Sequence, residues 1–151
     1  MADVMTPEQR KKAMRSNRGR TKPERALAML LWRRGLRYLT GEGYRRLRGS
    51  GIPGHPDLVF LGKQVIVFVD GCFWHGCPTC KRVPPDMTSI WLGKIRKNIE
   101  RDRRVTSELE KQGWIVIRVW EHTLKTRDGL GTQADELARR ITTIKGEGRT
   151  A

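Results

Sequence analysis

No stretch of this chain approaches the roughly 18 consecutive apolar residues that a membrane-spanning helix requires, and no signal-peptide pattern opens it. A soluble, cytoplasmic protein is the expectation, with no membrane partner. Acidic residues are scarce: 16 Asp and Glu stand against 31 Lys and Arg, leaving a net charge of +15 and a pI of about 10.7. A field of that sign gathers polyanions and makes nucleic acid the first partner to expect, with association with the nucleoid following from it. Cysteine is scarce too, and Cys72, Cys77 and Cys80 all fall within nine residues. An odd, clustered set argues against a disulfide framework and for reduced thiols or metal ligands. Internal repeats are absent, and 151 residues suffice for one domain with a hydrophobic core but not comfortably for two.

What the sequence does contain is concentrated between Val65 and Cys80. The run Val-Ile-Val-Phe-Val ends abruptly in Asp70-Gly71, and Phe73, Trp74, His75 and the cysteines follow within ten positions. A buried strand that delivers reactive side chains to its own end is a common way to hold them on a rigid support. Pro56-Asp57-Leu58-Val59-Phe60, a turn at Leu61 to Gln64, and Val65 to Val69 read as a β-hairpin. With Phe60 paired to Val65, Asp57 lies across from Phe68, beside Val69 and Asp70.

The remainder of the chain is read relative to that corner. Thr6-Pro7-Glu8-Gln9 is a helix-start pattern. From Arg10 to Arg25 there are eight Lys or Arg and one acid, Glu24, with Met14 the only large apolar side chain. This is either a basic arm, whose Arg15, Arg18 and Arg20 lie on something negative, or a solvated tail. Thr21-Lys22-Pro23-Glu24 is a second capping box, here followed by an apolar face of Leu27, Ala28 and Leu31 and closed by Gly35. Glu24 shares that face, and it either serves the capping box or faces the reactive corner. Leu36 to Leu39 is expected as a short strand, and Thr40 to Pro53, with Arg45, Arg46 and Arg48, as a Gly- and Arg-rich loop suited to phosphate. A helix is expected from about Thr88 to Gln112, stopped by Gly113, with Trp91, Ile95, Ile99, Val105 and Leu109 as its apolar stripe. Asp102 lies near the centre of that stripe, where a carboxylate must be paired or bind a cation. Trp114 to Trp120 is almost wholly apolar and is expected as an interior strand ending in Glu121-His122; a last helix covers about Thr132 to Ile144. The organisation is α/β, with an arm at 1–20, one domain at 21–145 and a flexible tail at 146–151.

Three chemistries are expected from these residues. A Cys-x-x-Cys pair is half of a tetrahedral zinc site, and Cys77, Cys80, Asp102 and His122 are the four ligands that spacing and burial suggest. A redox pair and unrelated buried thiols are the alternatives for Cys77 and Cys80, while Cys72 reads as a small buried hydrophobe. Asp57, Val69-Asp70 and His75 form an oxygen-rich group suited to magnesium with a histidine as its base, as phosphodiester hydrolysis requires. Phe73 and Trp74 are large apolar wedges that can enter a base stack or else pack in the core.

Several of these motifs together resemble the very short patch repair endonucleases. They are Pro-Gly-His-Pro-Asp57, Val67 through Gly-Cys-Phe-Trp-His75-Gly-Cys77, Trp91 with Lys94-Ile95 and Asn98, Arg101-Asp102, Trp114 through Glu121-His122, and Met14-Arg15-Ser16 with Arg18-Gly19 in the arm. The resemblance spans about residues 8–125. It implies a restriction-endonuclease-like α/β fold, with a central mixed sheet flanked by helices. It also implies a monomeric, magnesium-dependent enzyme that nicks double-stranded DNA beside the T of a T:G mismatch left by deamination of 5-methylcytosine. Asp57 and the Val69 carbonyl would hold magnesium, His75 would be the base with Glu24 in support, and the role of Asp70 is open between metal ligand and supporting acid. The same four residues would hold structural zinc. Phe73, Trp74 and Trp91 would form the wedge, Met14 would help from the other groove, and Lys94 and Asn98 would contact DNA. Mismatch-repair proteins and a repair polymerase would be the protein partners. Asn17 stands where an apolar residue is expected, Asp70 where some members carry His, and the stretch from Thr40 to Gly51 is longer and more basic than expected. A non-catalytic zinc-stabilised nucleic-acid-binding module and a relaxed-specificity nicking nuclease are the competing readings.

Overall fold

The computed structural model describes residues 8, 22–72, 75, 77, 79, 80 and 89–144. Helix α1 (Lys22–Arg33) carries Leu27, Ala28 and Leu31 inward, at the spacing that places them on one face. Gly35, at φ 86°, ends it. The Leu36 N–H reaches back to the Leu31 carbonyl at 3.1 Å and that of Gly35 to Trp32 at 3.0 Å, a closure that only a left-handed residue permits cheaply. Strand β1 (Leu39–Thr40) follows. The expected loop after it is instead mostly a helix, α2 (Gly41–Arg48), capped by the Thr40 hydroxyl accepting from the Gly43 N–H at 3.0 Å and closed by Gly49 at φ 77°. Its two glycines hide the pattern in the sequence, but Tyr44 anchors it edge-on against Trp114.

Strands β2 (Leu58–Phe60) and β3 (Val65–Asp70) form the hairpin with Phe60 opposite Val65. Helix α3 (Ser89–Lys111) returns the chain, and Gly113 at φ 93° ends it through the same closure, the Trp114 N–H meeting the Leu109 carbonyl at 3.1 Å. Strand β4 (Ile115–Trp120) then lies parallel to β3. Helix α4 (Arg127–Thr143), capped by Thr126, begins five residues before the sequence pattern suggests, because its first turn is polar.

Among the described residues the sheet order is β1-β2-β3-β4, with only the β3/β4 pair parallel. β4 therefore lies at the edge rather than in the interior, and Ile115 is 40% exposed. Its apolar run is explained by helices on both faces. Leu27 and Leu31 of α1 and Ala134, Leu137 and Ile141 of α4 pack on one face, against Val65, Val67, Ile117 and Val119. On the other, Leu109 and Val105 of α3 and Tyr44 of α2 pack against Ile66, Phe68 and Val116. Each such fully buried aliphatic side chain contributes about 1.5–3 kcal/mol. The result is a three-layer α/β unit in which β3, enclosed on both faces and both edges, ends at Asp70.

Candidate active site and metal centre

The hairpin carries Asp57 to the end of β3. Its N–H donates to the Val67 carbonyl at 3.0 Å, adding one rung below Leu58, and its Oδ2 accepts the Val69 N–H at 2.6 Å. The turn that delivers it contains two consecutive left-handed residues, Gly54 at φ 86° and His55 at φ 55°. A Cβ at Gly54 would come within 2.7 Å of Val105 Cγ1, so the turn is pressed against α3. The Asp57 carboxyl is pushed up to about 8, by burial first of all. The Glu24 carboxyl, which reaches it from the first turn of α1, is the second cause, and the Val69 N–H only partly opposes the two. Glu24 thus faces the corner. Two carboxyls crowded in this way form a hard-oxygen donor set that fits a divalent cation, which would relieve their repulsion.

A second cluster adjoins it. The imidazole of His75 meets Asp102 of α3, Nδ1 to Oδ2 at 2.6 Å, and lies 3.8 Å from Asp70 Oδ1. Arg118, from β4, places Nη1 3.1 Å from both oxygens of Asp70, donates from Nη2 to the Asp102 carbonyl at 3.3 Å and from Nε to Thr106 Oγ1 at 3.0 Å. Its guanidinium also lies over the Phe68 ring, 4.3 Å from the centroid. These residues floor a cleft of about 570 Å³ between α3 and β4, bounded by Ile99 and Trp120. Sequence reasoning missed Arg118. The one available signal was a lone cation in an otherwise apolar strand, Ile-Val-Ile-Arg-Val-Trp.

The thiols form a third group, and here the expected set is regrouped. Cys72, Cys77, Cys80 and His122 offer ligand atoms that all lie within 4.8 Å of one another, whereas Asp102 belongs with Asp70 and His75. The reason lies in the sheet: Asp70 pairs with Trp120, so Cys72 and His122, each two residues further on, leave the parallel strands side by side. The His122 Nδ1 is 3.1 Å from Cys72 Sγ, 3.6 Å from Cys77 Sγ and 3.4 Å from Cys80 Sγ. Tetrahedral ligands at zinc bond lengths stand about 3.5 Å apart, so the quartet fits that ion. Burial pushes the Cys72 thiol up to about 11. Burial acts in the same direction on Cys77, but the N–H groups of Cys80 and Thr79 point at its sulfur and lower it overall, which favours the thiolate a metal needs.

Of the residues expected to touch DNA, Lys94 is exposed and Asn98 half-buried, and helical spacing puts both on the face of α3 that carries Asp102. Trp91 lies in the first turn of that helix. Met14, Arg15, Arg18, Arg20, Phe73 and Trp74, and the side chain of Trp91, lie outside the described residues, as do the helix start at Thr6 and the tail.

A family model described as DNA mismatch endonuclease Vsr matches residues 2–82. The chain is 41% identical over 155 residues to "DNA mismatch endonuclease Vsr" of Escherichia coli (strain K12), covering 100% of this chain and 93% of that protein. The chain belongs to the DNA mismatch endonuclease Vsr family. It is also 42% identical over 129 residues to "Type II nicking enzyme V.NaeI" of Lentzea aerocolonigenes, covering 85% of this chain and 76% of that protein. A third relative, "Type II nicking enzyme V.NmeDIP" of Neisseria meningitidis serogroup C, is 45% identical over 123 residues, 80% of this chain and 78% of that protein. The stretch matched to the Vsr family model contains Glu24, Asp57, Asp70, His75 and all three cysteines, while Asp102, Arg118 and His122 lie beyond it. The site described above is therefore the candidate centre of a DNA endonuclease.

Proposed function

We propose that this chain nicks one strand of double-stranded DNA beside the T of a T:G mismatch by magnesium-dependent hydrolysis, in very short patch repair of deaminated 5-methylcytosine. The observation that carries the reading is that Asp57, crowded by Glu24 and tied to Val69, is linked through Asp70 to the His75–Asp102 pair. The mixed sheet with helices on both faces supports a restriction-endonuclease-like fold.

Asp57, with Glu24 behind it and the Val69 carbonyl beside it, would hold magnesium. When bound, that ion polarises the scissile phosphate and acidifies its water. Asp102 as a carboxylate can only accept, so in the neutral imidazole of His75 the proton sits on Nδ1 and the lone pair on Nε2. Nε2 is then the atom that takes a proton from the attacking water. Arg118 holds Asp70 and the Asp102 backbone so that the pair keeps its orientation. Cys72, Cys77, Cys80 and His122 would hold structural zinc, a closed site that supplies no open position for substrate. Cys72 and Cys77 flank His75 in the sequence, so a zinc held by the quartet would steady the base. With Trp91 and Met14, Phe73 and Trp74 would unstack the duplex at the mismatch, while Lys94, Asn98 and an arm at 1–20 with Arg15, Arg18 and Arg20 hold phosphates.

The test is cleavage of a duplex panel containing T:G, other mismatches and matched pairs, with magnesium and with chelator. Single-strand nicking confined to T:G duplexes and abolished by Asp57→Ala, with mismatch binding retained, is expected. Intact T:G duplex over a broad range of protein and magnesium would overturn the reading, and equal cutting of matched DNA would replace it with a relaxed nickase.

A further inference from the structure

Helix α2 starts at the same end of the sheet as Asp57, because β1 runs antiparallel to β2 and ends beside Leu58. Its first residue, Gly41, packs so closely on the Pro56 carbonyl that any Cβ there would overlap it, which fixes the helix to the turn before Asp57. Between helix and turn lies a cavity of about 120 Å³, lined by Glu42, Arg45, Gly51, Ile52, His55 and Pro56. This is well below the roughly 300–1,000 Å³ of a site for a drug-sized molecule, so it suits a small group. Its donors are unpaired. Glu42, the one acid in the lining, is taken by Arg46 at 2.7 Å, and among the described residues neither the Arg45 guanidinium nor the His55 imidazole has a hydrogen-bond or ion-pair partner. Arg45 lies over Gly51. A Cβ at that glycine would stand 3.2 Å from Nε and 3.3 Å from Nη2, so the place of the guanidinium depends on the missing side chain. His55, the other donor, holds a left-handed φ of 55°, uncommon outside glycine. Two donors beside buried Ile52 and Pro56, with no free acid, make an anion site.

We propose that this cavity holds a backbone phosphate of the DNA strand to be cut, with Arg45 as its principal ligand. The proposal rests on the reading of Asp57 as a metal ligand of a DNA nuclease. His55 is two residues from Asp57, no more than about 7 Å along an extended chain, and a strand of duplex advances about 3.4 Å per nucleotide along its axis. A phosphate in the cavity is therefore a near neighbour of the phosphate at Asp57. A free phosphate would satisfy the same donors, but the nearness to Asp57 and the net charge of +15 favour DNA. Strand order sets the direction: His75 and the thiols follow β3, on one side of the strand that Asp57 precedes, and α2 follows β1, on the other. The grip extends along the DNA away from His75, and because it meets a phosphate it acts on every sequence alike.

The test measures binding of fluorescent T:G duplexes without magnesium, each duplex carrying one neutral methylphosphonate, so that every phosphate near the T is probed in turn. One position should cost the wild type about 10-fold in affinity and cost Arg45→Met nothing further. On unmodified DNA, Arg45→Met should bind T:G and matched duplexes about 10-fold more weakly alike, with the slope of log affinity against log salt shallower by about one. Gly51→Val keeps every charge but fills the place of the guanidinium, so it should lose the effect of the same position, which a general loss of attraction does not do. Arg45 is exposed, so its replacement leaves the core untouched. Identical scans in the wild type and both variants would overturn the proposal, as would an affinity loss confined to T:G duplexes. If inorganic phosphate raises the melting temperature of the wild type more than that of Arg45→Met while the scans coincide, the cavity takes a free anion rather than DNA, which also overturns it. A wild-type chain that binds but never nicks in magnesium removes the nuclease reading, and the position lost by Arg45→Met still decides whether the cavity grips DNA.

Discussion

Asp57 sits in an environment suited to its proton unless a cation is supplied. Its pKa is about 8 in the folded chain against 3.8 for a free side chain, because burial and Glu24 disfavour the charge. The folded state therefore binds the extra proton between those limits, and the contribution of Asp57 to stability is greatest below pH 3.8 and is lost as pH rises to about 8. Metal-free wild type should lose melting temperature from pH 5 to pH 8 relative to Asp57→Asn. At pH 8 the metal-free variant should melt above the wild type, while nicking on the order of 10³-fold more slowly. Magnesium should raise the melting temperature of the wild type and not of the variant; equal responses in calorimetry would sink the assignment. The regrouped ligands make a second contrast. Metal analysis of Cys72→Ser should find zinc lost, whereas Asp102→Asn should retain it and lose activity through His75. The opposite pattern would restore the ligand set that the sequence suggests.

At the level of elements, the turn before Asp57 is the most exacting piece. Gly54→Ala meets two penalties at once, a left-handed φ and contact with Val105, and should cost about 2–3 kcal/mol in chemical denaturation. Val105→Ala in the same chain should relieve only the steric share, and full recovery would show that the backbone angle costs nothing. This turn also marks where sequence reading succeeds and fails. The hairpin register follows from the alternation around Phe60 and Val65, and the helix ends at Gly35 and Gly113 are legible because only glycine closes them cheaply. Helix α2 was hidden by its glycines and arginines, since its stability comes from Thr40 and from Tyr44 packing on a tryptophan seventy residues away. Glu24 was visible as an acid on an apolar face, but its partner was not. Asp102 is legible as an acid needing a partner, but which partner depends on how α3 crosses the sheet, which no local pattern encodes. Arg118 is a single charge in an apolar run, and hydropathy alone gives such a residue no partner.

At the scale of the molecule, charge and architecture divide the work. A net charge of +15 suits the chain to DNA, while the sheet carries the candidate reacting groups to the ends of β3 and β4. Removal of residues 2–20 takes away six Lys and Arg. It should weaken duplex binding and flatten the slope of log affinity against log salt by several units, read by fluorescence anisotropy; an unchanged slope would mean that the arm is merely solvated. The order of the strands also bears on how the chain reaches this state. The pairing of β3 with β4 is parallel and joins distant segments, with Cys72 and His122 separated by 50 positions, so it is the contact most delayed by chain entropy. A metal ion gripped first by Cys77 and Cys80 and then by His122 would convert that search into closure of a tethered loop. Refolding from denaturant should accordingly be faster with zinc present from the start than with zinc added after the chain has collapsed, which would make the three thiols and His122 a guide for assembly as well as a clasp on the finished fold.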